Sequence, residues 1–182
     1  MSKSVGNIIL AKHFSEKYGT NTLRYLILNS HYTQVINLQK NLIQQGADYT
    51  QKITNLLKRI KFYLYSNKIN LSEEKITPSE KVYQEVIHHL ANNLNTIKVL
   101  YQLEKVVNLL NKNLAGEKMS FETEKAINDI YFILNILGFK FNLPIYNFSD
   151  KLLIKKWQTL RANRKYEQAD EIRKQLQKKG IL

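Results

Sequence analysis

The sequence predicts an all-α protein, an antiparallel helical bundle with short connections, and three observations lead there. Two prolines, Pro78 and Pro144, and six glycines interrupt 182 residues, so helices have room to run. Apolar residues recur mostly three and four positions apart, the spacing that gathers them on one helix face. Only residues 5–10 read as extended.

The elements follow in order. Thr20 and Asn21 are placed to cap a short helix through Leu23, Leu26 and Ile27, because either side chain can accept from an orphan backbone N–H. A much longer helix is marked by Leu42, Ile43, Ala47, Tyr49, Ile53, Leu56, Leu57, Ile60 and Leu64, with Gly46 expected to weaken it locally. Thr77 then reads as an N-cap and Pro78 as a first helical residue, with Glu80 near the positive helix end and Val82, Val86 and Leu90 as the buried stripe. Asn95 or Thr96 restarts the chain after the polar Asn92–Asn93 pair and buries Ile97, Leu100, Tyr101, Leu103, Val106, Val107 and Leu110. Gly116 marks a loop. Ser120, followed by Glu122 and Glu124, opens a helix whose core face is Ala126, Ile127, Ile130, Ile133, Leu134 and Leu137, ending near Gly138. Beyond Pro144, Ser149 and Asp150 start a helix through Leu152, Leu153, Trp157 and Leu160, and residues 166–179 form the last helix, stopped by Gly180.

Charge is strong and uneven. Lys and Arg number 28 against 15 Asp and Glu, a net +13, which calls for an anionic partner, although richness in Lys, Asn, Ile and Tyr also resembles coding in an AT-rich genome. Residues 151–182 hold ten basic side chains against three acidic ones, about half the net charge in one sixth of the chain. A basic helical hairpin with Trp157 and Tyr166 interleaved can neutralise phosphates and offer aromatic faces to unpaired bases; the same pattern also suits a solvated basic helix pair with Trp157 in the core. Cysteine is absent, which removes disulfides, a thiol nucleophile and any Cys-containing zinc site. The apolar stretch at residues 130–141 is broken by Asn135, Gly138 and Lys140, too short to span a bilayer, and residues 1–10 carry no signal-type apolar region. A cytoplasmic protein without membrane partners is expected.

Catalytic constellations are scarce. His88 and His89 are adjacent and so point about 100° apart on a helix, Glu85 supplies half of a di-metal pattern without a second copy, and His13 and His31 lack a nucleophile motif. No metal site is expected in this chain, and neither a dinucleotide-binding nor a P-loop glycine motif is present.

Five segments in order carry a resemblance. Met1, Ser2, Lys3, Ser4, Val5, Gly6 and Asn7 reproduce all but the first residue of the KMSKS loop and its continuation in class I aminoacyl-tRNA synthetases. Residues 18–26, Tyr-Gly-Thr-Asn-Thr-Leu-Arg-Tyr-Leu, are similar to the segment opening the DALR-type helical domain of cysteinyl-tRNA synthetases, and Asn29, Ser30, His31 and Tyr32 resemble that family's SAHYR string. Residues 90–96 stand where the family has MDDDFNT, and residues 161–173 with Lys179, Gly180 and Ile181 look like its closing segment. Here Ala91, Asn92 and Asn93 replace the acidic run, Thr33 stands for the arginine after His-Tyr, and the DALR string reads Asn21, Thr22, Leu23, Arg24.

The resemblance is to the C-terminal part of cysteinyl-tRNA synthetase, and what it implies is as follows. Residues 1–19 would be the KMSKS loop and connection from a catalytic domain, 20–143 the DALR-like bundle, and 144–182 a basic hairpin on the anticodon-arm side. Met1, Ser2, Lys3 and Ser4 would contact ATP, with Lys3 neutralising its phosphates. Lys151, Lys155, Lys156, Trp157, Arg161, Arg164, Lys165 and Arg173 would bind the tRNA specific for cysteine. The catalytic domain, with its HIGH motif and zinc site, would be a separate portion, so this chain alone would neither catalyse nor bind a cofactor. Relatives continue past the position of Leu182 into an acidic and Trp-Arg-containing tail. A monomer is expected. Two alternatives remain open: a stand-alone helical RNA-binding module, and the related cysteine ligase of mycothiol synthesis, against which the basic hairpin argues.

Overall fold

The computed structural model describes residues 9–69, 76–114 and 120–181. They form α1 (Ala11–Tyr18), α2 (Thr20–Leu28), α3 (Lys40–Ser66), α4 (Glu80–Ala91), α5 (Thr96–Asn113), α6 (Phe121–Ile136), α7 (Phe148–Ala162) and α8 (Tyr166–Lys178). No strand occurs among the described residues, and the chain is all-α as its sequence predicts. Of the extended segment expected at residues 5–10, Ile9 and Leu10 are described and lie outside any strand, while the rest, like the Gly116 loop, lies outside the described residues. Two compact units divide the chain, Met1–Leu56 with Leu71–Phe141 and Leu57–Asn70 with Asn142–Leu182, the boundary falling within α3.

In the first unit α5 packs on α4 and α6. Val99, Leu103, Val106, Val107 and Leu110 of α5 are buried, as are Ile127, Ile130 and Ile133 of α6 and Val86 of α4. That register turns Ile97 and Tyr101 outward, against expectation: both lie on the side of α5 opposite Leu103 and are exposed. Val82 and Leu90 are only partly buried. Caps form where the sequence places them at Asn95, which accepts from Lys98 N–H, and at Ser120, which accepts from Thr123 N–H. Gly138 ends α6 with φ +73°, and Phe139 N–H returns to the Leu134 carbonyl.

Two expectations in this unit give way to longer-range bonds, and a third gains a packing reason. The cap of α4 is Ser79, not Thr77, because the buried Asp129 of α6 takes both Ser79 donors, the backbone N–H at 2.6 Å and the hydroxyl at 3.0 Å. Burial pushes the Asp129 pKa up against the pull of those two bonds. The cap of α2 is Gly19, while the Asn21 amide donates to the Lys140 carbonyl at 2.7 Å and its oxygen accepts from Lys140 N–H. Gly46 does more than weaken α3: a Cβ there would sit 3.3 Å from Leu26, Thr22 and Tyr25, so its absence lets α2 approach. Helix α1 carries no periodic stripe that would announce it in the sequence, since its one buried side chain is Phe14, which packs with Leu26 and Ile43.

The second unit joins the end of α3 to α7 and α8. Tyr146, Ile154, Ile172, Leu176 and Ile181 form its core, with Phe62, Tyr65, Leu153, Trp157 and Leu160 packed around them. Helix α7 starts earlier than Ser149-Asp150 suggests. Asn147 accepts from Asp150 N–H, and the Asp150 carboxylate accepts in return from Asn147 N–H, a capping box. Leu152, within the predicted helix, is exposed. At the far end Gly180 adopts φ +67° and Ile181 N–H reaches the Leu176 carbonyl, as the sequence predicts for a glycine stop.

Candidate nucleic-acid interface

The geometry of the α7–α8 hairpin starts from its buried side. Ile154, Leu176 and Ile172 fix the rotation of both helices, and the short turn between the helices holds α7 against α8. Asp150, itself buried, accepts from Lys179 Nζ at 2.5 Å. That bond holds the Asp150 carboxyl below the usual carboxylate range. Both ends of the hairpin are thereby tied, and its outward positions are defined by what is left over.

Those positions carry the expected cations. Lys151, Lys155 and Lys156 are exposed on α7, which has no carboxylate besides Asp150. Arg164 and Lys165 occupy the turn, and Arg173 is exposed on α8. The Arg164 backbone is left-handed, φ +58°, where glycine is the usual occupant, so an arginine is presented there despite backbone strain. Helix α8 is less one-sided, because exposed Asp170 and Glu171 lie about one turn from Arg173 or Lys174, and exposed Glu167 follows Arg164 and Lys165 of the turn.

The aromatic residues divide differently from their sequence spacing. Trp157 is half-buried in the second unit's core, edge-on to Phe62 at 5.7 Å, and the Arg161 guanidinium lies 5.1 Å from its ring centroid. Tyr166, 61% exposed at the start of α8, presents a face to solvent next to the basic turn; Phe148, 78% exposed, presents one at the start of α7. The signal that separates them is in the sequence: Trp157 falls three residues after Ile154 on the buried side, whereas Tyr166 is first in its helix.

A second set of motif residues meets in the first unit. Tyr32 Oη donates to Asn93 Oδ1 at 2.5 Å, and Asn93 Nδ2 lies 3.3 Å from His31 Nε2. Thr96 Oγ1 donates to the Leu28 carbonyl at 2.7 Å. Residues 29–32 and 90–96, linked by resemblance alone in the sequence, are thus joined by hydrogen bonds around a turn in which Asn93 and Leu94 both have positive φ. Arg24 reaches the end of α6, its Nη1 donating to the Leu137 carbonyl at 3.5 Å. Met1, Ser2, Lys3 and Ser4 lie outside the described residues. Among the described residues no three His, Asp or Glu side chains converge on a metal-sized space, and no helix is long and apolar enough to cross a membrane.

Residues 1–48 match the family model of the class I (C) tRNA synthetase catalytic domain, a stretch that takes in the MSKS string, α1, α2 and the start of α3. Over its full length the chain is 36% identical to cysteine–tRNA ligase of Mycoplasma mycoides subsp. mycoides SC, covering 41% of that protein. The corresponding ligase of Mesoplasma florum is 36% identical with 41% covered, and that of Mycoplasma pneumoniae 32% identical with 40% covered, again across the whole chain. The chain therefore spans about two fifths of the length of these curated relatives.

Proposed function

We propose that this chain, related over its whole length to a part of cysteine–tRNA ligase, is the tRNA-binding portion of such an enzyme. The whole enzyme would join cysteine to its tRNA with ATP through an aminoacyl-adenylate. This portion alone would not catalyse, since holding the reactants in register supplies much of the rate for such chemistry, and the chain covers only 41% of a relative. Lys3, with Met1, Ser2 and Ser4, would close over the ATP phosphates when the remaining portion is present. Zinc would be held by the remaining portion of the enzyme, since this sequence offers no cysteine ligand. The chain would act as a monomer in the cytoplasm, organised as residues 1–19, 20–143 and 144–182, with the last segment toward the anticodon arm.

The observation that supports tRNA as partner is the outward face of α7 and its turn, where Lys151, Lys155, Lys156, Arg161, Arg164 and Lys165 follow one another with no exposed carboxylate between them. Trp157 would act by steadying Arg161, and Arg173 would extend the surface along α8. Replacing Arg161, Arg164 and Lys165 together by alanine is expected to weaken binding of a cysteine tRNA transcript. The slope of log K against log salt should flatten by roughly 0.7–0.9 for each phosphate no longer neutralised. An unchanged slope would remove the hairpin as the binding surface. Equal affinity for any structured RNA would favour the stand-alone module instead.

A further inference from the structure

Helix α5 carries an outward face that the motif resemblance does not explain. Lys98, Lys105 and Lys112 are exposed and spaced seven residues apart, so they drift only ~20° per step around the helix and stay on one side over about 21 Å. Tyr101, 62% exposed, lies between them, with Lys105 Nζ 4.6 Å from its ring centroid. The single carboxylate of α5, Glu104, is engaged by Lys52 of α3 and so leaves the three lysines without an acidic neighbour on their own helix.

The field of two of these lysines reaches α4, where Glu85 opposes it. His89, on α4, has its pKa lowered first by burial and then by Lys98, with His88 and Lys105 acting in the same direction and Glu85 opposing them. A solvated helix face ordinarily mixes signs, as α8 does with Glu167, Asp170 and Glu171 among its bases. A single-sign row beside an exposed aromatic ring is the pattern that suits a phosphate backbone and an unstacked base.

We propose that the outward face of α5 is a second RNA-binding surface, in which Lys98, Lys105 and Lys112 neutralise backbone phosphates and Tyr101 offers a stacking face. It rests on the reading of the chain as a tRNA-binding portion and adds a binding surface separate in sequence from the hairpin. Ile97 and Leu109 share this exposed side with Tyr101, but Lys98, Lys105 and Lys112 are interspersed with them, so the face lacks the continuous apolar stripe that a docking helix needs and suits RNA instead.

The test uses the full chain and a cysteine tRNA transcript, with binding measured across a salt series. Changing Lys98, Lys105 and Lys112 to alanine together should flatten the log–log slope by about two units and weaken binding at low salt, and joining these to the Arg161, Arg164 and Lys165 changes should add both effects. All three positions are helical and outside the buried core, and alanine is the best helix former, so folding is preserved and circular dichroism verifies it. A wild-type slope in the α5 variant beside a flattened one in the hairpin variant overturns this inference and leaves the proposed function standing. Wild-type slopes in both overturn both.

Discussion

The outward faces of α8 and α5 are built from similar numbers of basic residues and differ in what lies between them. On α8, Asp170 and Glu171 stand about a turn from Arg173 and Lys174, so at physiological ionic strength much of their field cancels within a Debye length of ~8 Å. On α5 the one carboxylate is drawn aside by Lys52, and Lys98, Lys105 and Lys112 share a side with no counter-charge of their own. A residue count ranks the C-terminal hairpin far above α5 as a basic region. Arrangement narrows that gap, since an anionic backbone responds to local potential and not to a segment's total.

The comparison can be broken most forcefully through the cores that display the two faces. Leu176 is wholly buried in the core shared by α7, α8 and the end of α3, and Leu176→Ala should cost about 2–5 kcal/mol by emptying that space. Hydrogen exchange should then quicken in α7 and α8 while α5 amides keep their protection. A chain that loses protection throughout would show that the two faces stand or fall together. Gly138→Ala acts on the other side: the added Cβ would enter a left-handed backbone at φ +73° and lie 2.9 Å from Arg24 Nη1. A loss of about 1–3 kcal/mol is expected in urea unfolding, with displacement of Arg24 from the end of α6.

Smaller changes sharpen the contrast instead. Arg164→Gly removes a cation and also relieves a left-handed arginine, so stability should rise by up to about 1 kcal/mol while RNA affinity falls. Opposite signs in thermal melting and binding would separate the residue's structural cost from its contribution to the interface. The smallest effect concerns pH. The Asp150 carboxyl is held low, chiefly by the Lys179 bond, so its stabilising share is complete above the unfolded value near 3.9 and is lost as pH falls through the lower folded value. Asp150→Asn, which can still accept at the cap, should melt earlier than the wild type at pH 7, and the difference should vanish in strong acid. A constant difference at every pH would mean that the charge is irrelevant there.

Much of the fold is legible in the sequence wherever the deciding bond is local. Asn95, Ser120, Gly138 and Gly180 end or begin helices through neighbours three to five residues away, and each acts where the sequence places it. The start of α4 escapes such a reading because its partner, Asp129, is 50 residues distant, and Asn21 is turned to Lys140, 119 residues on. Tyr101 is expected inside because its apolar body matches the stripe. The rotation fixed by Val99, Leu103 and Leu110 decides otherwise and also aligns the three lysines. Their seven-residue spacing is visible in the sequence, but it becomes a surface only once that rotation is known. At the hairpin the charges are legible from composition, whereas the burial of Trp157 and the balance of signs on α8 need the packed helices.

Ultraviolet cross-linking of the chain to a cysteine tRNA transcript, with the attached peptides identified by mass spectrometry, tests the central claim most directly. Exposed Tyr166 and Tyr101 should appear among the cross-linked residues, in yields that fall together as salt is raised. Cross-links confined to other surfaces, or yields indifferent to salt, would contradict tRNA binding by the hairpin and by α5.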